Sequence, residues 1–213
     1  MTRDTRGVKR NVRFHYREAT ADGQALISSG VLLEMGCRGG TYPTQRHSIR
    51  SMAAEYAVDD LGDGPDTWDE FAVVEVEVLA PERTLFEKLA LLHDGVTRYP
   101  DEAARGRLLK AGRHLYDIAR LLADPAVIAA LELLGADGVR ELCDDIESQS
   151  AAAEFSSTAR PAGGYGDSAL LQLTPQCREV LESAYLVAMG LVYGSRPSFD
   201  ECLDTIRGRI TLL

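Results

Sequence analysis

Lys88, Asp117 and Glu34 are the residues of this chain whose type and setting could do chemistry. Lys88 lies in "VEVLAPERTLFEKLALLH" (Val76 to His93), which reads as a strand breaking into a helix at Pro81. Proline is tolerated there because the first helical amides have no intrahelical partner. On a helix over 81–95, Leu85, Phe86, Leu89 and Leu92 form the buried stripe, and Lys88 falls roughly 110° from its centre. That flank suits two roles: a surface lysine laying its stem along apolar neighbours, or a cation aimed into a cleft to neutralise nucleotide phosphates. The chain has twenty arginines and only three lysines, Lys9, Lys88 and Lys110. A lysine kept against that bias is informative, because a compact ammonium and a planar guanidinium are not interchangeable beside a phosphate.

Asp117 lies in "GRHLYDIARLL" (Gly112 to Leu122). There Leu115, Ile118, Ala119 and Leu122 make the apolar stripe, while Arg113, Asp117 and Arg120 share another face. One reading is a solvent-facing ion pair between Arg113 and Asp117 one turn apart, worth a few tenths of a kcal/mol. The other is a carboxylate turned toward a substrate. Glu34 interrupts the apolar run "VLLEMG". A carboxylate is costly to bury unless paired or bound to a cation, and the alternative is a strand edge facing water. Arg38, four residues on, suits either reading.

These residues need elements to hold them. "NVRFHYR" (Asn11 to Arg17) alternates like a half-buried strand, and "GVLLEMGCR" (Gly30 to Arg38) is a second. Ser48 to Val58 looks helical, the acidic Gly/Asp/Pro stretch Asp59 to Asp69 is a loop, and "FAVVEVEVL" (Phe71 to Leu79) is the clearest strand. From Pro81 the pattern predicts helices over 81–95, about 101–110, 113–123, 125–134 and 137–153. The Ser/Ala/Gly-rich stretch Ser148 to Asp167 reads as a linker or mobile loop. Two further helices follow. One opens at Thr174-Pro175, and the other at Ser198, with Glu201 completing a capping box.

Composition bounds the class. Of 213 residues, 45% are apolar and 26% charged, so the chain can bury a sizeable core and disorder is not the default. No apolar run approaches the roughly 20 residues that span a bilayer. Met1 to Arg13 carries no hydrophobic segment behind its charges, so no signal peptide and a cytoplasmic location are expected. Cys37, Cys143, Cys177 and Cys202 have no Cys-x-x-Cys spacing and read as free thiols. The net charge of −10 is unevenly spread: residues 1–120 carry 17 basic and 19 acidic groups, residues 121–213 carry 6 and 14. Net charge is therefore −2 over residues 1–120 and −8 over residues 121–213, so most of the net negative charge falls outside the part holding Lys88 and Asp117, and a local basic surface is compatible with phosphate binding.

"FEKLALLH" and "GRHLYD" closely resemble the third and fourth motifs of the AbiEii/AbiGii toxin family, bacterial nucleotidyltransferases of toxin–antitoxin and abortive-infection systems. The third motif centres on Glu-Lys-Leu, and the fourth commonly reads Arg-His-x-x-Asp-Leu, with Arg113, His114, Tyr116 and Asp117 at matching positions. The resemblance covers about residues 30–125. It implies catalytic roles for Lys88 and Asp117, with Arg113, His114 and Arg38 as phosphate or substrate contacts. It also implies Mg²⁺ held with help from Glu34, as strand carboxylates of the polymerase-β type do. The family's upstream turn (Gly-Ser or Gly-Gly-Thr-Ser) and Asp-x-Asp pair find no counterpart before the Glu34 strand, so a late start or a shortened member is expected. "RGGTYPT" lacks a following Asp-x-Asp. "DDLGDGPDTWDE" fails as a calcium loop because Leu61 occupies a ligand position and Pro65 follows the glycine.

The resulting expectation is an α/β protein: a partial nucleotidyltransferase (polymerase-β-like) mixed sheet in a lobe over 1–95, N-terminally incomplete, then a helical bundle over 96–213. The implied activity is transfer of a nucleoside monophosphate from an NTP to RNA, most plausibly the tRNA 3′ end, neutralised by a cognate antitoxin. The alternative is a catalytically inactive member that binds antitoxin or RNA. No membrane partner is expected.

Overall fold

Val74, Val76 and Val78 alternate with Glu75, Glu77 and Leu79, and the period of two puts the valines on one face of a strand. In the computed structural model, which describes residues 2–6, 9–15, 30–36, 42–155 and 157–213, this segment is a strand over Val74–Leu79. Its partner is Thr44–Ile49, antiparallel, with Ile49 opposite Val74 and Arg46 opposite Glu77. Three earlier strands, Thr2–Arg6 (β1), Lys9–Phe14 (β2) and Val31–Gly36 (β3), form a separate antiparallel sheet in the order β1-β2-β3. Thr44–Ile49 is then β4 and Val74–Leu79 is β5.

Two expectations change here. The described strands make two antiparallel sheets rather than one mixed sheet. The segment read as helical from Ser48 is strand until Ile49 and becomes helix only at Met52–Asp59 (α1), where the Ser51 hydroxyl caps the Ala54 amide at 3.1 Å. "TQRHSI" carries no apolar alternation, so its strand character comes from pairing with β5 and not from its own pattern.

Six further helices follow: Pro81–Thr97 (α2), Glu102–Leu108 (α3), Gly112–Ala123 (α4), Pro125–Ala152 (α5), Pro175–Met189 (α6) and Phe199–Arg207 (α7). Their starts carry the expected chemistry. Pro81, Pro125 and Pro175 sit in first turns, Asp124 and Thr174 cap the amides of Ala126 and Cys177, and Ser198 with Glu201 makes the capping box. The break foreseen between 134 and 137 falls at Gly135, whose φ of 62° interrupts α5.

The core lies among these helices. Leu85, Phe86, Leu89 and Leu92 of α2 pack with Leu115, Ile118 and Leu122 of α4, Leu131 and Ile146 of α5, Leu181 and Tyr185 of α6, and Leu203 and Ile206 of α7. Each such side chain contributes about 1.5–3 kcal/mol on leaving water. Cys143, Cys177 and Cys202 are buried free thiols within it, and burial pushes the Cys143 thiol up to about 12, which leaves it unreactive. Cys37 lies outside the described residues.

The stretch expected as a linker is helical through Ala152 and is then bound to the bundle. The Thr158 hydroxyl donates to Asp94 at 2.9 Å, the Arg160 amide to Glu147 at 2.7 Å, and Tyr165 and Ser168 are buried. Small residues there allow close packing, which composition alone does not separate from flexibility. No helix among the described residues is long and apolar enough to cross a membrane.

Candidate functional site

Helix α2 starts immediately after β5, and the Ala80 amide donates to the Pro43 carbonyl at 2.9 Å, so the helix entry is tied to the chain leading into β4. Two turns in, Lys88 leaves the flank of the buried stripe toward α4. Helix α4 reaches this position because of its first residue. A Cβ on Gly112 would lie 2.3 Å from the Ala184 carbonyl carbon and 2.5 Å from the Tyr185 nitrogen. Only glycine lets the start of α4 abut the α6 backbone this closely.

The two helices bring three of the candidate side chains together. The Lys88 ammonium donates to Asp117 Oδ2 at 2.7 Å and stands 3.4 Å from His114 Nδ1. His114 Nδ1 is 3.9 Å from the same carboxylate oxygen. Side-chain exposures are 20% for Lys88, 16% for His114 and 34% for Asp117, so the cluster is half-sheltered and still open to a solute. At an effective dielectric between water and protein interior such a pair is stronger than a surface salt bridge yet remains exchangeable.

Burial pushes the Asp117 carboxyl up, but the hydrogen bonds and charges of His114 and Lys88 outweigh it and hold the group below the usual carboxylate range. A depressed folded-state value means the unfolded chain binds more protons in acid. The pair's contribution is then complete above the unfolded aspartate value of about 3.9 and is lost as pH falls through the lower folded value. Urea unfolding should show parent more stable than Asp117→Asn at neutral pH, with the gap closing below about pH 4. A gap that widens on acidification would contradict the assignment.

The other anticipated residues lie apart. Arg113 is exposed, and among the described residues it makes no ion pair; Asp117, one turn on, pairs with Lys88 instead. The intrahelical pair loses because α2 presents a cation directly opposite the carboxylate. Glu34 is exposed on the edge strand β3, opposite Asn11. Arg38 lies outside the described residues. Among the described residues no group of three or more His, Cys, Asp or Glu side chains converges to hold a metal ion.

Two charged residues escaped the sequence reading. Arg83 is 1% exposed and ties three elements together: its guanidinium donates to the Tyr42 carbonyl, to Asp145 of α5 at 2.6 Å and to Glu87 at 3.1 Å. Its partners are 41 and 62 residues away, apart from Glu87 one turn on, so no local signal marks it. Asp94, also buried, receives Thr158, Arg107 and Arg98. It borders a cavity of about 480 Å³ lined by Glu87, Ala90, Leu91, Arg107, Ile146 and Phe155 among others. Neither Lys88 nor Asp117 lines that cavity. The carboxylate bordering that cavity is engaged by Thr158, Arg107 and Arg98, as Asp117 is by Lys88.

Residues 2–204 match the family model described as "Nucleotidyl transferase AbiEii toxin, Type IV TA system". The chain belongs to the AbiEii nucleotidyltransferase toxin family. The match extends well beyond residues 30–125, where the recognisable motifs lie, and takes in both small sheets and the C-terminal helices. Membership in the AbiEii family implies a nucleotide substrate and an antitoxin partner, and the mixed α/β architecture is compatible with a nucleotidyltransferase-like fold. No curated protein and no solved structure matches the chain.

Proposed function

We propose that this AbiEii-family protein transfers a nucleoside monophosphate from an NTP to an RNA acceptor, most plausibly the 3′ end of tRNA, and that a cognate antitoxin neutralises it. The observation that carries the reading is the Lys88–Asp117 contact of 2.7 Å between the two family motifs. In this proposal Lys88 uses its remaining N–H donors on phosphate oxygens of the NTP, an ammonium being a compact charge suited to that task. Asp117 keeps the ammonium aimed, and orients the acceptor or nucleotide. Arg113, exposed one turn before Asp117, and His114 are phosphate or substrate contacts. Arg38 belongs to the same proposal. A polymerase-β-like lobe over 1–95 and a helical lobe over 96–213 would share α2 as the element bearing Lys88.

Nucleotidyltransferases generally use Mg²⁺, which stabilises charge on transferring phosphoryl groups. The described residues do not fit it: no three donors converge, Glu34 is alone on an exposed edge, and Asp117 is bonded to Lys88. Among the described residues, the roles proposed for Lys88, His114 and Asp117 are therefore binding and positioning. That donor set also favours the second reading, an inactive family member that retains antitoxin or RNA binding.

Incubation of the protein with total tRNA and each labelled NTP decides between them. The first reading expects label on tRNA, lost in Asp117→Ala. Absence of label with all four NTPs, together with retained tRNA binding, would establish the second.

A further inference from the structure

The Lys88 ammonium lies between two groups that ask opposite things of it. Asp117 Oδ2 accepts from it at 2.7 Å, and His114 Nδ1 stands at 3.4 Å on the same side. An ammonium has donors and no acceptor, so it tolerates that ring nitrogen only while the nitrogen carries a lone pair. Lys88 can therefore donate to this ring only in the neutral tautomer that carries its proton on Nε2, and the ring can donate to Asp117 only from a protonated Nδ1. Adding a proton to Nδ1 turns an acceptor into a donor facing a cation. The new N–H is then 3.9 Å from Asp117 Oδ2, the oxygen that Lys88 is using. Two cations compete for one carboxylate, and the flexible four-carbon arm of Lys88 is the one able to swing away.

We propose that His114 is the positioning residue that decides whether the Lys88 ammonium is tied to Asp117 or released toward an anion, and that a proton on its Nδ1 makes the change. As regards phosphate binding, this rests on the reading of Lys88 given above; the exchange itself does not. Among the described residues, the charged groups in contact with His114 are Lys88 from α2 and Asp117 from its own helix, while Arg113 beside it is exposed. From α6, Tyr185 directs its hydroxyl away, to the Pro197 carbonyl and Cys202 of α7.

The scarcity of lysine makes the test direct. With Lys9, Lys88 and Lys110 the only lysines, isotope-labelled lysine yields three side-chain ammonium signals, and Lys88→Arg identifies the one of interest. Over a titration from about pH 8 to about pH 5.5, the Lys88 signal is expected to move in one step, in register with the ring signals of His114. It should stay flat there in H114Q and H114N, the second variant placing an amide oxygen near the Nδ1 position. A flat signal in the parent, or the same step in both variants, overturns the proposal.

A second arm measures inorganic tripolyphosphate affinity by calorimetry for parent and H114Q in parallel, so that titration of the probe cancels. The affinity ratio of parent to H114Q should rise roughly 3- to 10-fold on acidification, the scale of one added charge a few Å away in a partly aqueous setting. If tripolyphosphate binds parent and K88A equally, the reading of Lys88 as a phosphate cation fails, and the ammonium signal still decides the role of His114. If K88A loses binding while the parent-to-H114Q ratio stays constant with pH, the proposal fails and that reading stands.

Discussion

Lys88→Ala is expected to weaken NTP binding by about 1–3 kcal/mol, roughly 5- to 150-fold, the scale of a lost charge-assisted contact. The value is a net one. In the free protein Lys88 is paired with Asp117 at 2.7 Å, so a phosphate must share or displace that carboxylate. The same geometry makes a paired expectation for the carboxylate. Asp117→Ala removes the competitor and should leave NTP affinity unchanged or raised, while any transfer to RNA is lost. Calorimetry on parent, Lys88→Ala and Asp117→Ala with each NTP separates these effects. Equal affinity in parent and Lys88→Ala would remove Lys88 from the site. Weaker binding in Asp117→Ala would show that the carboxylate contacts the nucleotide and does not merely hold the ammonium.

The second large effect is expected from backbone packing and not from charge. Gly112→Ala should destabilise the protein by about 1–3 kcal/mol or more, because its Cβ would meet backbone atoms that cannot rotate aside. The new atom would lie 2.3 Å from the Ala184 carbonyl carbon and 2.4 Å from its oxygen. Relief requires α4 to move off α6, which also shifts His114 and Asp117 relative to Lys88. At about 2–4 °C per kcal/mol for a chain of this size, the loss is visible in a thermal melt. Gly106→Ala is the matched control. It stands in α3 with nothing within 4 Å of its Cβ position, so it should be neutral or stabilising through helix propensity alone. A Gly112→Ala melt indistinguishable from that of Gly106→Ala would show that the bundle adjusts without cost.

What the sequence by itself determined is local or motif-borne. Apolar periodicity, prolines in first turns and the Ser198–Glu201 box located the helices, because each of these acts within one or two turns. The residue types around Lys88 and Asp117 singled them out through the family pattern, and the family match spans residues 2–204. The tertiary structure decided whatever depends on a partner distant in the chain. Thr44–Ile49 is a strand because β5 pairs with it, despite lacking a strand pattern of its own. Arg83 is buried because Tyr42 and Asp145 arrive from 41 and 62 residues away to accept from it. Asp117 pairs with Lys88 and not with Arg113, although Arg113 is one turn away on the same helix. The helix turns Arg113 outward to water, while packing of α2 against α4 delivers an ammonium to the carboxylate from 29 residues upstream.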